Sequence, residues 1–244
     1  MEEWQPASAP RRRPMPREVD VWSVPLERLA DRINTLQSVL SPDERERADR
    51  FYFERDRRRF VGVRAVLRVL LGAYLQVDAR DLTFSYGPQG KPALTGRFRD
   101  GLSFNVSHSH ELALLAVGPG IDIGVDVEAV RPMNDIDDIA ARFFSPREAD
   151  QLRSLPASVR TEAFFACWTR KEAYLKALGS GLARPLDGFD VTFAPGEPAT
   201  LAVHGDHGET ARWCVEALSP ADGYAAALVT EGGATTRCWR WSDH

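Results

Sequence analysis

Cysteine and long apolar runs are both scarce in this chain of 244 residues. The three cysteines are odd in number and show neither CxxC nor Cys/His spacing, which argues against a zinc motif and a disulfide framework. They predict reduced thiols in a cytoplasmic protein. No apolar run approaches the roughly 18 residues of a membrane-spanning helix, and the N-terminus lacks the apolar core of a signal peptide. We therefore expect no membrane partner.

Lysine is rare as well: it occurs only at positions 91, 171 and 176, and the rest of the 31 basic residues are arginine. Codon bias explains most of this excess, yet a lysine ammonium is compact and flexible in a way that a planar guanidinium is not. The net charge of −4 disfavours general binding to nucleic acid, although local basic patches remain possible. Residues 1–17 combine four prolines with an arginine triplet and predict a flexible tail.

The rest of the chain predicts an α+β fold. Helical spacing of apolar residues indicates one long helix from about residue 56 and another over residues 158–178. Short alternating segments between Gly/Pro turns indicate small antiparallel sheets. We place a boundary near residue 119, which gives an N-terminal half (18–119) and a C-terminal half (120–244). The pattern is compatible with a pseudo-dimer of two similar halves, each a small sheet on a long helix, although the sequences do not visibly repeat.

The segment IDIGVDVE (121–128) is the first candidate site. It alternates apolar residues with Asp122, Gly124, Asp126 and Glu128, so an extended strand would carry its three carboxylates on one face. An exposed strand edge is the ordinary explanation of such a pattern. Asp126 and Glu128 would lie side by side and repel each other unless a positive group separates them.

The second candidate lies in the helix WTRKEAYLKALGSGL (168–182). Trp168, Glu172 and Lys176 are spaced i, i+4, i+8 and share one stripe. An exposed Glu–Lys ion pair is the ordinary explanation, but a tryptophan on the same stripe favours a face that meets the protein. Together, Asp126, Glu128 and Glu172 offer three oxygen ligands of the kind that magnesium prefers.

Basic residues form the third group of candidates. Residues 50–64 contain six arginines with acids between them, which is typical of a salt-bridged helical face. Arg47, Arg58 and Arg59 could instead gather around a terminal phosphate. Two further stretches are GKP (90–92), where glycine and proline let the backbone approach a flat ring closely, and SHS (107–109), where His108 can donate to a phosphate oxygen.

These motifs resemble those of the 4′-phosphopantetheinyl transferases, and in particular the larger, monomeric type that activates surfactin synthetase. GKPAL, FNVSHS, GVDVE, RFFSPRE and FFACWTRKEAYLKALGSGL occur here in the order and approximate spacing of that family. The likeness covers nearly the whole chain. It implies transfer of 4′-phosphopantetheine from coenzyme A to a serine hydroxyl of an apo carrier protein, with release of adenosine 3′,5′-bisphosphate. It also implies a pseudo-dimer with the coenzyme in the cleft between its halves.

The resemblance assigns roles by matching position. Asp126, Glu128 and Glu172 would hold Mg²⁺, with Mn²⁺ as a possible substitute, against the coenzyme A pyrophosphate. Lys176 would contact phosphate, and Lys171 lies in the same motif. As a mechanistic hypothesis, Glu172 accepts the serine proton directly or through a metal-bound water, with Asp126 and Lys176 completing the catalytic set.

The coenzyme contacts follow in the same way. Gly90, Lys91 and Pro92 would border the adenine, while Ser107 and His108 would reach the pyrophosphate or the 3′-phosphate. Arg47 and Arg59 align with basic positions that cradle the 3′-phosphate. Glu44 departs from the family pattern, because relatives often carry a basic residue there. That departure suggests that Arg58 supplies this corner of the cradle.

The expected partners are acyl or peptidyl carrier domains of fatty-acid, polyketide or nonribosomal peptide synthases, met by a monomer in which one chain builds the whole cleft. Two alternatives remain at this stage. A metal-dependent phosphodiesterase or nuclease would use similar carboxylates and cleave nucleic acid without coenzyme A. An inactive carrier-binding paralogue would keep the cleft without turnover.

Overall fold

The computed structural model describes residues 3–87, 90–99, 101–179 and 184–242. Residues 88–89, just before the GKP motif, and residues 180–182 of the helix motif lie outside the described residues. The strands are β1 (Gln5–Ala7), β2 (Glu18–Pro25), β3 (Phe84–Tyr86), β4 (Pro92–Leu94), β5 (Ser103–Ser109), β6 (Leu112–Gly118), β7 (Ile123–Ala129), β8 (Phe189–Val191), β9 (Leu201–Val203), β10 (Trp213–Leu218), β11 (Tyr224–Glu231) and β12 (Thr235–Trp241). The α-helices are α1 (Ile33–Leu36), α2 (Pro42–Asp49), α3 (Glu54–Leu75), α4 (Ile136–Phe143), α5 (Pro146–Ser154), α6 (Ala157–Leu178) and α7 (His207–Arg212).

Two sheets packed face to face form the centre of the molecule. The first has the strand order β1-β12-β2-β6-β5 and the second β10-β11-β7. Their facing sides bury a shared apolar core that includes Val21, Leu114 and Val125. The other face of the first sheet packs on α3, and the other face of the second packs on α6. A mixed fold with one long helix per main sheet is therefore confirmed, and the layers run helix, sheet, sheet, helix.

Local sequence signals account for the helix ends. Ser41 and Ser145 each begin a helix with a capping box, completed by Glu44 and Glu148 three residues later. Helix α6 ends at Gly179, whose φ of 66° lies in the left-handed region that glycine adopts at little cost. Of the helices in the described ranges, none combines the length and apolar character needed to span a membrane.

The last strand corrects the expected sheet composition. Strand β12 enters the first sheet between β1 and β2 and runs parallel to both, so this sheet is mixed rather than antiparallel. The second sheet is antiparallel, as expected. Because β12 comes from residues 235–241, the C-terminal segment completes the N-terminal sheet, and a boundary at residue 119 does not separate the two sheets fully.

The N-terminal segment also differs from the expected flexible tail. Residues 5–7 form the edge strand β1 beside β12. Farther along, both guanidinium nitrogens of Arg12 bind the Glu18 carboxylate, and Arg13 Nε donates to the Tyr74 carbonyl at 2.6 Å. These contacts hold the proline-rich segment against the first sheet and the end of α3.

Candidate active site

The two sheets meet along a seam between their edge strands, β5 and β7. Side chains of β5, rather than its backbone, accept the β7 amides across this seam. Val125 N–H donates to Asn105 Oδ1 at 2.9 Å, Val127 N–H to Ser107 Oγ at 3.3 Å and Ala129 N–H to Ser109 Oγ at 3.2 Å. The seam therefore fixes the register of the acidic strand relative to the N-terminal half.

Gly124 brings helix α6 onto the same strand. A Cβ at this position would lie 1.9 Å from the Ala173 carbonyl oxygen and 2.3 Å from the Ala177 nitrogen, so only glycine fits beneath the helix. Gly124, Asp126 and Glu128 share the strand face that meets α6. The close approach explains how Glu172 and Lys176, which flank this crossing on the helix, come to lie near Asp126.

Asp126 is the centre of the resulting cluster. Its side chain is buried, and its Oδ1 accepts from Lys176 Nζ at 2.6 Å and from Ser107 Oγ at 2.7 Å. Lys176 also donates to Ser107 Oγ at 2.9 Å. The Ser107 hydroxyl gives its one proton to Asp126, which leaves it without a donor for a phosphate. The second carboxylate oxygen, Asp126 Oδ2, is buried and has no hydrogen-bond partner in the described part of the chain.

Glu128 lies beside this group and is held by the next serine of the seam. Ser109 Oγ donates to Glu128 Oε2 at 2.7 Å. Burial raises the pKa of the Glu128 carboxyl; the hydrogen bond from Ser109 opposes that rise, and the charge of Asp126 adds to it. Burial and the neighbouring carboxylate thus disfavour the ionised form of Glu128.

Glu172 completes the trio from the helix side. It is half-buried and makes no hydrogen bond or ion pair among the described residues. Burial and the charge of Asp126 raise the pKa of the Glu172 carboxyl, Lys176 opposes the rise, and Glu128 contributes to it. The structure therefore brings Asp126, Glu128, Glu172 and Lys176 within electrostatic reach of one another, as the two motifs predict.

The donor chemistry of this cluster fits a hard divalent cation. Three carboxylates supply oxygen ligands only, one of their oxygens is buried without a partner, and two have raised pKa values that a cation would lower. No ready-made group of three or more His, Cys, Asp or Glu ligands exists among the described residues. A cation would have to compete with the hydrogen bonds that Lys176 and Ser109 make to these carboxylates.

A cavity of about 210 Å³ opens beside Lys176, between the two halves. Its walls include Gly90, Lys91 and Pro92 from the N-terminal half and Leu175, Lys176 and Gly179 from the end of α6. The predicted adenine-bordering residues therefore share a cavity with the predicted phosphate-binding lysine. The Lys91 ammonium, however, lies 2.7 Å from the Lys176 carbonyl oxygen and 3.2 Å from that of Ile123.

His108 and Arg59 lie on another side of the cluster. His108 is exposed at the surface, yet partial loss of hydration beside its neighbours lowers its pKa, and the positive charges of Lys176 and Arg59 lower it further. The Arg59 guanidinium forms a very short ion pair with Glu111 and a second one with Asp56 at 3.6 Å. An anion beside His108 would thus meet two cationic side chains and an imidazole that can donate a hydrogen bond.

The other basic candidates lie apart from the cavity. Arg47 is exposed, with its guanidinium carbon 5.3 Å from the centre of the Phe60 ring. Arg58 is exposed and pairs with Glu54 at 3.0 Å, one helical turn away. Neither side chain lines the cavity beside Lys176. Arg58 thus belongs to a salt-bridged helical surface, and Arg47 contacts an aromatic ring.

Glu44, the departure from the family pattern, is enclosed within the N-terminal half. Its side chain is 1% exposed and forms ion pairs with Arg64 Nε at 2.6 Å and Arg68 Nε at 2.5 Å. A buried carboxylate between two buried guanidinium groups binds α2 to α3 and faces no ligand. The acidic residue at this position is therefore explained by packing within the N-terminal half.

Lys171 has a structural role rather than a contact with phosphate. It is fully buried, pairs with Glu148 at 2.7 Å and donates to the carbonyls of Leu186 and Phe189 at 2.7 and 2.6 Å. Trp168 packs on Phe164 with 6.1 Å between ring centres, which confirms that its stripe meets the protein. The two lysines of the helix motif thus point to different environments, and only Lys176 reaches the acidic cluster.

Sequence reasoning missed Asn105 and Ser109, the two further polar residues of the seam. Asn105 binds the β7 backbone, and Ser109 binds both the backbone and Glu128. A usable signal exists in FNVSHS, where polar residues at 105, 107 and 109 repeat with the period of two that places them on one face of a strand.

Comparison with known proteins agrees with the motifs. Residues 122–229 match the family model of the 4′-phosphopantetheinyl transferase superfamily, and residues 27–120 match that of the 4′-phosphopantetheinyl transferase N-terminal region. The chain is 43% identical to 4′-phosphopantetheinyl transferase HetI of Nostoc sp. over 227 residues, which cover 92% of each protein. It is 34% identical to 4′-phosphopantetheinyl transferase Sfp of Bacillus subtilis over 154 residues, 63% of this chain and 66% of that protein.

Among solved structures, holo-[acyl-carrier-protein] synthase of Thermotoga maritima aligns with a TM-score of 0.37 and 28% identity, covering 46% of this chain and 64% of that one. The full-length relationship to HetI and the two adjoining family matches carry the assignment. This chain belongs to the 4′-phosphopantetheinyl transferases.

Proposed function

We propose that the cluster around Asp126 transfers the 4′-phosphopantetheine group of coenzyme A to a serine hydroxyl of a carrier protein. The observation that supports it best is the contact between Asp126 and Lys176, which lines the inter-half cavity, together with an Asp126 Oδ2 that has no hydrogen-bond partner among the described residues. A lysine that lines this cavity and lies beside three acids suits a substrate that brings a diphosphate together with a divalent metal.

In this proposal, Asp126, Glu128 and Glu172 hold Mg²⁺, for which Mn²⁺ can substitute. When bound, the metal would offset the negative charge of the pyrophosphate during transfer. Lys176 is freed from Asp126 to bind a phosphate oxygen. His108 and Arg59 bind further phosphate oxygens, and Gly90 and Pro92 form a wall for the adenine.

The chemical step requires a proton acceptor. The serine oxygen attacks phosphorus, a new P–O bond forms, and the bond to adenosine 3′,5′-bisphosphate breaks. We assign the serine proton to the Glu172 carboxylate. Support comes from its half-buried position without a hydrogen-bond partner among the described residues, which leaves its oxygens open to accept a proton.

The carrier would approach from the side of Glu128. An apolar groove of about 210 Å³ lies there, with Glu128 and Arg131 beside Met133, Phe164, Phe165 and Trp168. Acyl or peptidyl carrier domains of fatty-acid, polyketide or nonribosomal peptide synthases are the proposed occupants. We also propose that residues 18–119 and 120–244 form a pseudo-dimer, supported by the mirrored layers of sheet and helix, and that one chain acts as a monomer.

A carrier-modification assay tests the function. Apo carrier protein, coenzyme A, Mg²⁺ and the enzyme are mixed, and intact-mass spectrometry follows the gain of one phosphopantetheine group on the carrier. The gain should require all four components and disappear with EDTA. Failure with a panel of acyl and peptidyl carriers would contradict the proposal. Cleavage of DNA or RNA without coenzyme A would instead support phosphodiesterase activity, and carrier binding without modification would indicate an inactive paralogue.

A further inference from the structure

The ammonium of Lys91 ends among backbone carbonyls of the opposite half. It donates to the carbonyl oxygens of Lys176 at 2.7 Å, Ile123 at 3.2 Å and Ala177 at 3.5 Å. An ammonium group has three protons to donate, so three acceptors use its full capacity. The Lys91 ammonium is thus directed mainly to acceptors within the protein, although Lys91 still lines the cavity.

The carbonyls of Lys176 and Ala177 belong to the last turn of helix α6. The last carbonyls of a helix have no partner within the helix, and a cation there also interacts favourably with the helix dipole. At the end of α6, Gly179 N–H donates to the Lys176 carbonyl at 3.2 Å, and Lys91 supplies a second donor to the same oxygen. Lys91 is therefore a C-terminal cap provided by another part of the chain.

The third element in this contact is β7. Ile123 begins β7 and precedes Gly124, over which α6 crosses. One side chain thus joins the segment before β4 to both β7 and α6, the two elements that carry the acidic cluster. Burial lowers the pKa of Lys91, opposed by the charge of Asp122, as expected for an ammonium enclosed by protein.

We propose that Lys91 is a positioning residue, which clamps the Gly90–Pro92 wall to the end of α6 and thereby fixes Lys176 relative to the cavity. The inference rests on the proposed function only in taking Lys176 as the phosphate-binding group. It differs from the role that the family resemblance suggests, in which the Lys91 side chain belongs to the coenzyme contacts.

Three variants separate these roles. Lys91→Met keeps the aliphatic stem and removes the donors, whereas Lys91→Arg keeps a charged donor. Arg97→Met is the control for loss of a positive charge in the same half, because Arg97 is exposed and its ion pair with Asp81 is long, at 4.0 Å. The first measurement is amide hydrogen exchange of the protein without coenzyme or carrier.

We expect Lys91→Met to speed exchange of the amides at residues 173–179 by about 10-fold or more, since the last turn of α6 loses its cap. Lys91→Arg should restore most of the protection, and Arg97→Met should leave it unchanged. Wild-type exchange over 173–179 in Lys91→Met would overturn the proposal. This measurement needs no turnover, so it stands even if the proposed function fails.

The second measurement is steady-state turnover with coenzyme A and with 3′-dephospho-coenzyme A. A clamp predicts that Lys91→Met lowers kcat about 10-fold with both, because a displaced Lys176 affects transfer from either donor. A direct contact with the coenzyme predicts instead a raised KM with kcat unchanged, for both donors if Lys91 contacts the adenine and for coenzyme A alone if it contacts the 3′-phosphate; either result would overturn the proposal. If Lys91→Met does not fold, Lys91→Arg provides the test. A positioning role predicts a kcat within about 3-fold of wild type and near-normal amide exchange over residues 173–179, because arginine also donates to carbonyls.

Discussion

Lys176 and Asp126 form a one-sided contact: the ammonium lies 2.6 Å from Oδ1, while Oδ2 is buried and has no partner among the described residues. A buried carboxylate ordinarily satisfies both oxygens, because an unpaired buried acceptor costs roughly 1–3 kcal/mol. Glu128 and Glu172, whose pKa values are raised, lie within electrostatic reach of Asp126. The site carries an electrostatic cost that a cation and a diphosphate together would relieve.

The Asp126→Asn variant tests the centre of this cluster. The amide keeps the size of the side chain and can still accept from Ser107, but it removes the charge. We expect kcat to fall about 10²-fold or more, the scale on which lost electrostatic groups act in catalysis. Asp122→Asn is the control, because Asp122 belongs to the same segment and its side chain is 55% exposed. Turnover of Asp126→Asn within about 3-fold of that control would contradict the assignment.

Glu172→Gln separates catalysis from stability. Loss of the proposed proton acceptor should lower kcat about 10²-fold or more. The metal-free protein should become no less stable in urea, since the raised pKa shows that the charge of Glu172 is unfavourable beside Asp126. Glu162→Gln, at an exposed position of the same helix, should change neither quantity. A variant that loses activity only because it unfolds would show a lower urea midpoint, which would argue against this account.

The acidic strand and the Glu172–Lys176 stripe could be predicted because each depends on a local period, two for a strand and 3.6 for a helix. The convergence of Asp126 with Lys176 was inferred from chemistry, and the close contact at Gly124 supplies its geometric cause. Local periodicity contains no information on which strand lies beside which. The parallel insertion of β12 and the seam between β5 and β7 were for that reason not predicted.

The surroundings of single charged residues were harder to predict, because they depend on elements that are distant in the sequence. Glu44 lies on a surface helix by sequence, yet tertiary packing buries it between Arg64 and Arg68. Lys171 and Lys176 belong to one motif, but their positions differ by five residues and thus face different sides of α6. Only the surrounding elements show that the first lysine is enclosed with Glu148 and the second meets Asp126.

Gly124→Ala tests the crossing of α6 over β7. The added methyl would lie within 2.3 Å of two backbone atoms of the helix, which cannot yield as a flexible side chain would. We expect a loss of about 3 kcal/mol or more in the free energy of unfolding, at the upper end of what overpacking costs, together with a large loss of turnover. Urea denaturation measures it. Gly188→Ala, with no atom within 4 Å of the added methyl, is the control and should be near neutral.

Glu18→Gln tests how the N-terminal segment is held. Hydrogen bonds from Arg12 and from the Met15 amide lower the pKa of Glu18 to about 2, from an ordinary value of 4.5. A depressed pKa means that the docked segment binds fewer protons than the released one. The contribution of Glu18 to docking is therefore present above pH 4.5 and is lost as the pH falls from 4.5 towards 2.

Limited trypsin digestion at neutral pH gives the first readout, because Arg11, Arg12 and Arg17 lie in this segment and none of them precedes a proline. Glu18→Gln should be cleaved there faster than wild type, whereas Glu27→Gln, at an exposed position, should not. In the wild type, the protection factors of the amides at residues 5–17 should decline between pH 4.5 and 2, and in Glu18→Gln they should already be low at pH 6. Equal protection in both proteins across this range would show that pairing of β1 with β12 holds the segment without help from the Arg12–Glu18 pair.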